Sequence, residues 1–290
     1  MNCTSIFLNH TIFRVPNIRD LYLNIDIESM KKDRFIGTYE WSLKTEGNLN
    51  LKEKITLIRM LLEAQTKDML QGLLYRSGIW KHKLKRVDLG KIQIPDSQTS
   101  KEAIKIAEST YSPTLLNHCY RTYYFARVLA QVDQFNKIDE ELLFVGAMLH
   151  DLGLTPQNLP KAATCCFTMD AAHFSKNFAL EHQWNEQRAN SLFTSISAHL
   201  NPVINPTIYG KESYLLGGGA FMDMLGKRHY TAPKPTMEQI HQKYPRAQFM
   251  GEIVGSIPMM KSPNTRAGFL KKLGFATLAA QNPLEKRWGG

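Results

Sequence analysis

The chain has 290 residues, 43% of them hydrophobic and 21% charged, with a formal net charge of +10. That length fits one large domain or two small ones, and the composition is that of an ordinary globular chain rather than a disordered, collagenous or disulfide-built one. No apolar run reaches the ~20 residues that a membrane-spanning helix needs.

The surplus of positive charge favours solubility first and attraction of an anionic ligand second. The densest basic run, Lys81-His82-Lys83-Leu84-Lys85-Arg86, is short and follows an expected helix end, so it reads as a solvated linker. No nucleic-acid-binding motif accompanies it. The expected partner is a small-molecule substrate, not nucleic acid or membrane. Cys3, Cys119, Cys165 and Cys166 make no Cys-x-x-Cys pair, and the adjacent Cys165 and Cys166 suit a disulfide poorly. A reduced, cytoplasmic setting fits them. Met1 to Leu8 lacks a basic region, and Asn9-His10 interrupts the apolar run, which argues against a secretory leader.

Residues 1 to about 45 show no sustained periodicity. Asn50-Leu51-Lys52-Glu53 has the form of a capping box and opens a helix carrying Ile55, Ile58, Leu62, Met69 and Leu73, closed near Gly78. Its apolar face is expected to dock on the rest of the chain, with a homo-oligomer contact as the alternative. Residues 81–100 read as a connector, with Gly90, Pro95 and Ser97 as turn residues.

From Lys101 onward the signals are helical. Ser112-Pro113 is a cap and first-turn pair for a helix through Leu116, Tyr120, Tyr124 and Leu129. Asp139 caps a helix ending at Gly153 and Pro156. Asp170, Asn185 and Ser213 are expected caps of three more, Thr236-Met237-Glu238-Gln239 resembles a capping box, and a last helix runs from about Thr265 to Leu273. The expected fold is all-α: an N-terminal extension of mixed or helical character (1–84), a helical domain (85–280) and a short tail (281–290).

Four side chains in these helices suit a metal: His118, the pair His150-Asp151, and Asp223. Neutral imidazole and anionic carboxylate are ligands for a divalent ion that keeps a position open for water. Adjacent residues on a regular helix point about 100° apart, so His150 and Asp151 converge only where a helix ends, as Gly153 and Pro156 suggest here. Asp223 follows Gly217-Gly218-Gly219, and three helical glycines at roughly 1 kcal/mol each imply a packing or site requirement.

The order His … His-Asp … Asp resembles the HD superfamily of metal-dependent phosphohydrolases and related enzymes. Within it, Ser112 to Tyr123, Leu149 to Thr155, Ile196 to Pro202 and the Asp223 stretch, with Tyr244-Pro245-Arg246 and Lys261 to Thr265, look most like the cyanamide hydratase-like branch. The resemblance covers roughly residues 85 to 280. It implies a helical HD-domain fold with one metal held by His118, His150, Asp151 and Asp223. Zinc suits two nitrogens and two oxygens, and iron or manganese would also accept them. One departure stands out. The branch has Phe-Glu-x-Asp-Gly-Ala where this chain has Phe167-Thr168-Met169-Asp170-Ala171-Ala172, so Glu is replaced by Thr168 and Gly by Ala171. A two-metal reading through His173 and His199 is weaker, because His173 falls where the branch has Asp or Asn. His199 is read as facing substrate, and His182 as structural.

Three functions follow. The first is metal-assisted hydration of a small carbon–nitrogen triple bond, as in cyanamide. Asp170 or His199 would move the proton, Thr155 would orient nucleophile or substrate, and Asn117 and Arg121 would contact substrate. The second is hydrolysis of a nucleotide or other phosphoester, with Arg121 or Lys161 neutralising phosphate; a structural salt bridge from the His118 helix is the alternative for Arg121. The third is a non-catalytic scaffold.

Overall fold

A computed structural model describes residues 34–289. The reading of the N-terminus, including Cys3 and the absence of a leader, lies outside the described residues. Residues 34–289 all lie in one compact unit. The described residues hold fourteen α-helices and no strand: α1 (Tyr39–Thr45), α2 (Leu51–Arg76), α3 (Gln98–Thr110), α4 (Pro113–Val132), α5 (Glu140–Leu149), α6 (Phe167–Glu181), α7 (Glu186–Ala198), α8 (Pro206–Tyr209), α9 (Lys211–Leu225), α10 (Lys234–Lys243), α11 (Phe249–Ser256), α12 (Arg266–Lys272), α13 (Phe275–Ala280) and α14 (Pro283–Trp288). None is long and apolar enough to cross a membrane. The all-α expectation holds.

The caps explain most starts. The Asn50 side chain accepts from Glu53 N while the Glu53 carboxylate accepts from Asn50 N. Ser112, Asp139 and Asn185 cap α4, α5 and α7, and Thr265 caps α12. Three expected starts move. Helix α6 begins at Phe167, which puts Asp170 in its first turn. Helix α9 begins after Gly210 rather than at Ser213. Helix α10 begins after Pro233 rather than at Thr236. Proline and glycine set these last two ends by fixing or freeing φ.

The core is built on α4, whose Tyr123, Phe125 and Leu129 are fully buried with Phe144 and Met148 of α5, Phe193 of α7 and Leu216 of α9. Helix α9 lies directly on α4. A Cβ on Gly219 would collide with the backbone of Thr122 and Ala126. The glycine run therefore serves packing: it lets α9 approach α4 closely enough to bring Asp223 beside His118.

Helix α2 overturns its expected docking. Its buried residues are Leu57, Gly72 and Tyr75, whereas Ile55, Ile58, Leu62, Met69 and Leu73 are exposed. The contact with the domain is largely polar. Asp68 accepts bonds from the Arg228 backbone N–H and the Tyr230 hydroxyl, both at 2.9 Å, and from Lys227 at 3.2 Å. Tyr75 packs edge-on to Trp80 and against Tyr230. Apolar spacing identifies the helix but not which of its stripes faces inward.

The C-terminal segment is a structural element. Trp288 of α14 stacks on His241 of α10 at 4.2 Å, and Asn282 donates to the carbonyl of Asp223 at 2.7 Å.

Candidate metal centre

Three of the expected ligands converge. His118 projects from α4, His150 is the C-cap of α5, and Asp151 follows where the helix gives way to a 3-10 turn, Leu152–Leu154. A Cβ on Gly153 would collide with the carbonyl of Phe167, so this glycine admits the start of α6 against the turn that presents Asp151. His150 Nε2 lies 3.3 Å from His118 Nε2. Asp151 Oδ2 is 3.4 Å from His118 Nε2 and 3.3 Å from His150 Nε2. All three residues are buried.

The protons of this cluster can be assigned from its partners. His150 Nδ1 faces the carbonyl of Ala147 at 2.8 Å, and His118 Nδ1 faces a carboxylate oxygen of Asp223 at 2.6 Å. Both partners are acceptors, so each Nδ1 carries the hydrogen and each Nε2 presents a lone pair. Two lone pairs and a carboxylate oxygen thus point at one another inside the protein, an arrangement that requires positive charge among them. Burial opposes charge on His150, but Asp151, with Cys119 beside it, outweighs burial and holds the imidazole well above its ordinary value. Burial likewise opposes charge on Asp151, and His150 and His118 outweigh it, holding the carboxyl well below the usual range. Both shifts express the same demand, which a divalent cation meets more fully than one proton. The donor set fits such an ion.

Asp223 stands one step back from the expected ligand set. It is fully buried, and its oxygens are engaged by Arg121 Nε at 2.8 Å, Arg121 Nη2 at 2.9 Å, Arg246 Nη1 at 2.5 Å and His118 Nδ1. Burial opposes its charge, and Arg121 and Arg246, then His118, hold its carboxyl far below the usual range. A carboxylate receiving the outer N–H of a metal-binding histidine fixes tautomer and ring direction. Phe249 stacks on the same ring at 4.6 Å.

The remaining expected site residues separate into those at the cavity and those behind it. His199, C-cap of α7, is at the cavity: its Nε2 lies 3.8 Å from Asp151 Oδ1 and its Nδ1 donates to Ile196 O at 2.7 Å. Burial, reinforced by His150, pushes it down to about 3. Arg121, expected to meet substrate, is fully buried and spends its guanidinium on Asp223 and on the carbonyls of Tyr244 and Pro245. Asn117 donates to Pro245 O at 3.1 Å and, like Arg121, braces that turn. The Thr155 hydroxyl donates to Leu152 O at 2.9 Å, closing the 3-10 turn rather than facing substrate. Asp170 is partly exposed beside Lys161 at 3.9 Å and does not line the cavity. His173 pairs with Glu46 at 3.3 Å, outside the site.

Sequence reasoning gave no role to Arg246, which it noted only as part of a resembling segment, and missed Phe249 and Arg266. Arg266 is fully buried and donates to Asn201 Oδ1 and Thr168 Oγ1, both at 3.0 Å, and to Ser197 O. It thereby ties together the residues flanking His199. Thr168, which replaces the Glu of the resembled branch, accepts one of these bonds.

His118, His150, Asp151 and His199 line one cavity of about 50 Å³. Its wall is apolar and includes Leu154, Phe167, Met224, Ile253, Met260 and Phe275.

Comparison with known families agrees with this geometry. Residues 115–238 match the family model described as HD domain, a span containing His118, His150, Asp151, His199 and Asp223. The match supports HD superfamily membership for that segment. The HD domain and the buried His-His-Asp cluster fit a metal-dependent hydrolase in general. No curated protein matches the chain.

Proposed function

We propose that this chain activates water against a small uncharged substrate with an apolar body, with hydration of a nitrile, cyanamide included, as the favoured reaction. The observation that carries this reading is the cavity wall. Apart from His118, His150, Asp151 and His199, every residue lining it is apolar. A phosphoester needs cations at its oxygens, and those expected to serve lie elsewhere. Arg121 and Arg246 are committed to Asp223, and Lys161 sits in solvent beside Asp170. An apolar cleft with a few convergent polar groups suits a small organic substrate.

A divalent cation at the cluster, zinc being favoured over iron or manganese, would polarise the substrate and make water acidic enough to attack at neutral pH. The protein's own residues do the positioning. His118, fixed from behind by Asp223, and His150, fixed by the carbonyl of Ala147, present Nε2 lone pairs at a set spacing. His199, uncharged at neutral pH and with its Nδ1 hydrogen committed to Ile196, offers Nε2 as an acceptor that orients a water toward the substrate carbon. The apolar wall excludes competing water.

The test is to load the protein in turn with zinc, iron(II) and manganese and to assay aliphatic nitriles and cyanamide beside a nucleotide and p-nitrophenyl phosphate panel. Amide or urea formation that disappears in Asp151→Ala is expected. Phosphate release with no nitrile turnover would overturn the substrate assignment.

A further inference from the structure

Helix α2 carries a second apolar stripe that the fold does not use. Leu51, Ile55, Ile58, Leu62, Met69 and Leu73 are between 39% and 74% exposed. At 100° per residue they fall within a strip about 60° wide, set apart from the face of Leu57, Gly72 and Tyr75 that meets the domain. A surface helix docking on a globular core shows a stripe of 100° or more, whereas a narrow seam repeating every three or four residues is the signature of helix-on-helix packing. Among the described residues nothing packs on this seam.

We propose that the seam pairs with the same seam of a second copy, the two α2 helices running antiparallel with the two-fold axis near Leu62. Three observations support a copy of this chain as the occupant. The seam is nearly symmetric about its middle: antiparallel pairing sets the Leu51–Ile55 end of one helix against the Met69–Leu73 end of the other, as a self-complementary contact requires. Charge agrees. Lys52, Lys54 and Arg59 outnumber Glu53 in the half before Leu62, whereas beyond it Glu63 is paired with Lys67 and Asp68 is held by the domain, so antiparallel pairing keeps the basic halves apart and parallel pairing would oppose them. Area agrees as well. From Leu51 to Leu73 the seam runs about 33 Å, and with exposed Leu70 and Ile79 alongside it offers several hundred Å² per copy, approaching the ~800 Å² per partner of a standard interface.

The test is sedimentation velocity on the full chain at micromolar concentration, beside Leu62→Glu and Ile55→Glu/Met69→Glu. The parent is expected at twice the chain mass and both variants at the monomer mass, with unchanged helical signal because the replaced side chains are exposed within each copy. A monomeric parent overturns the proposal, whether the seam is then covered by residues 1–33 or by another partner. So does a dimer that survives both variants. Spin labels at Leu62→Cys and Leu51→Cys, in a background lacking Cys3 and Cys165, read the direction. Antiparallel helices give a short distance at 62 and one longer by about 30 Å at 51; two short distances overturn the antiparallel arrangement. None of these readouts depends on the metal or on activity.

Discussion

Asp223→Asn separates two roles for this carboxylate. Its oxygens meet Arg121 twice, Arg246 once and His118 Nδ1, all between 2.5 and 2.9 Å. Removing its charge leaves a buried guanidinium uncompensated, which costs about 3–5 kcal/mol when one partner of a buried pair is lost. Arg246 keeps Glu285 at 2.6 Å, and asparagine still accepts one hydrogen bond, so about 3 kcal/mol is expected. For a domain of this size that is a fall of roughly 10 °C in melting temperature, measured by circular dichroism on chelator-treated protein. His118 also loses the partner that fixes its tautomer, which should weaken metal binding about 10- to 100-fold without abolishing it, as read by competition with a chromophoric chelator. Outright loss of metal binding with an unchanged metal-free melt would refute this account and make Asp223 a direct ligand.

Asp151→Ala and His150→Ala should each strip the metal, by elemental analysis, and keep the helical circular dichroism; metal retained at parental stoichiometry would remove the centre from this site. Gly219→Ala should destabilise by about 1–3 kcal/mol through overpacking of α9 on α4, and an unchanged urea midpoint would show that the glycines serve something else. His241 is buried against Trp288, and burial lowers it to about 4. Below the unfolded value of about 6.5 the unfolded chain takes up a proton that the folded chain refuses, so stability falls as pH drops from about 6.5 toward 4. His241→Phe should flatten that decline by about 1.4 kcal/mol per pH unit, measured from urea midpoints at pH 6 and pH 4.5; an unaltered slope would assign it to other groups.

How far the sequence could be read depended on the range of the interaction. Ser112, Asp139, Asn185 and Asn50 cap what they were expected to cap, because a cap is settled within four residues. His118, His150 and Asp151 were legible because a helix end must be where adjacent residues converge. The partners of Asp223 were not. Arg121 looks the same in sequence whether it faces substrate or a buried carboxylate, and its true partner is 102 residues away. Asp170 was misread as a cap because the residue that precedes α6, Cys166, makes no side-chain cap and so leaves no local signal of the start. In α2 the exposed seam is the stronger periodic signal, while the face that docks is held by one leucine, an aspartate, a glycine and a tyrosine.

The clamp behind His118 also has a consequence in time. Arg246, Asn282 and Glu285 reach the ribosome exit long after His118, His150 and Asp151, so a nascent chain exposes its metal-binding side chains well before the residues that lock them. During synthesis the cluster is therefore fixed from behind only at the end, when Arg246 and Asn282 reach Asp223 and Asp223 in turn sets the direction of the His118 ring.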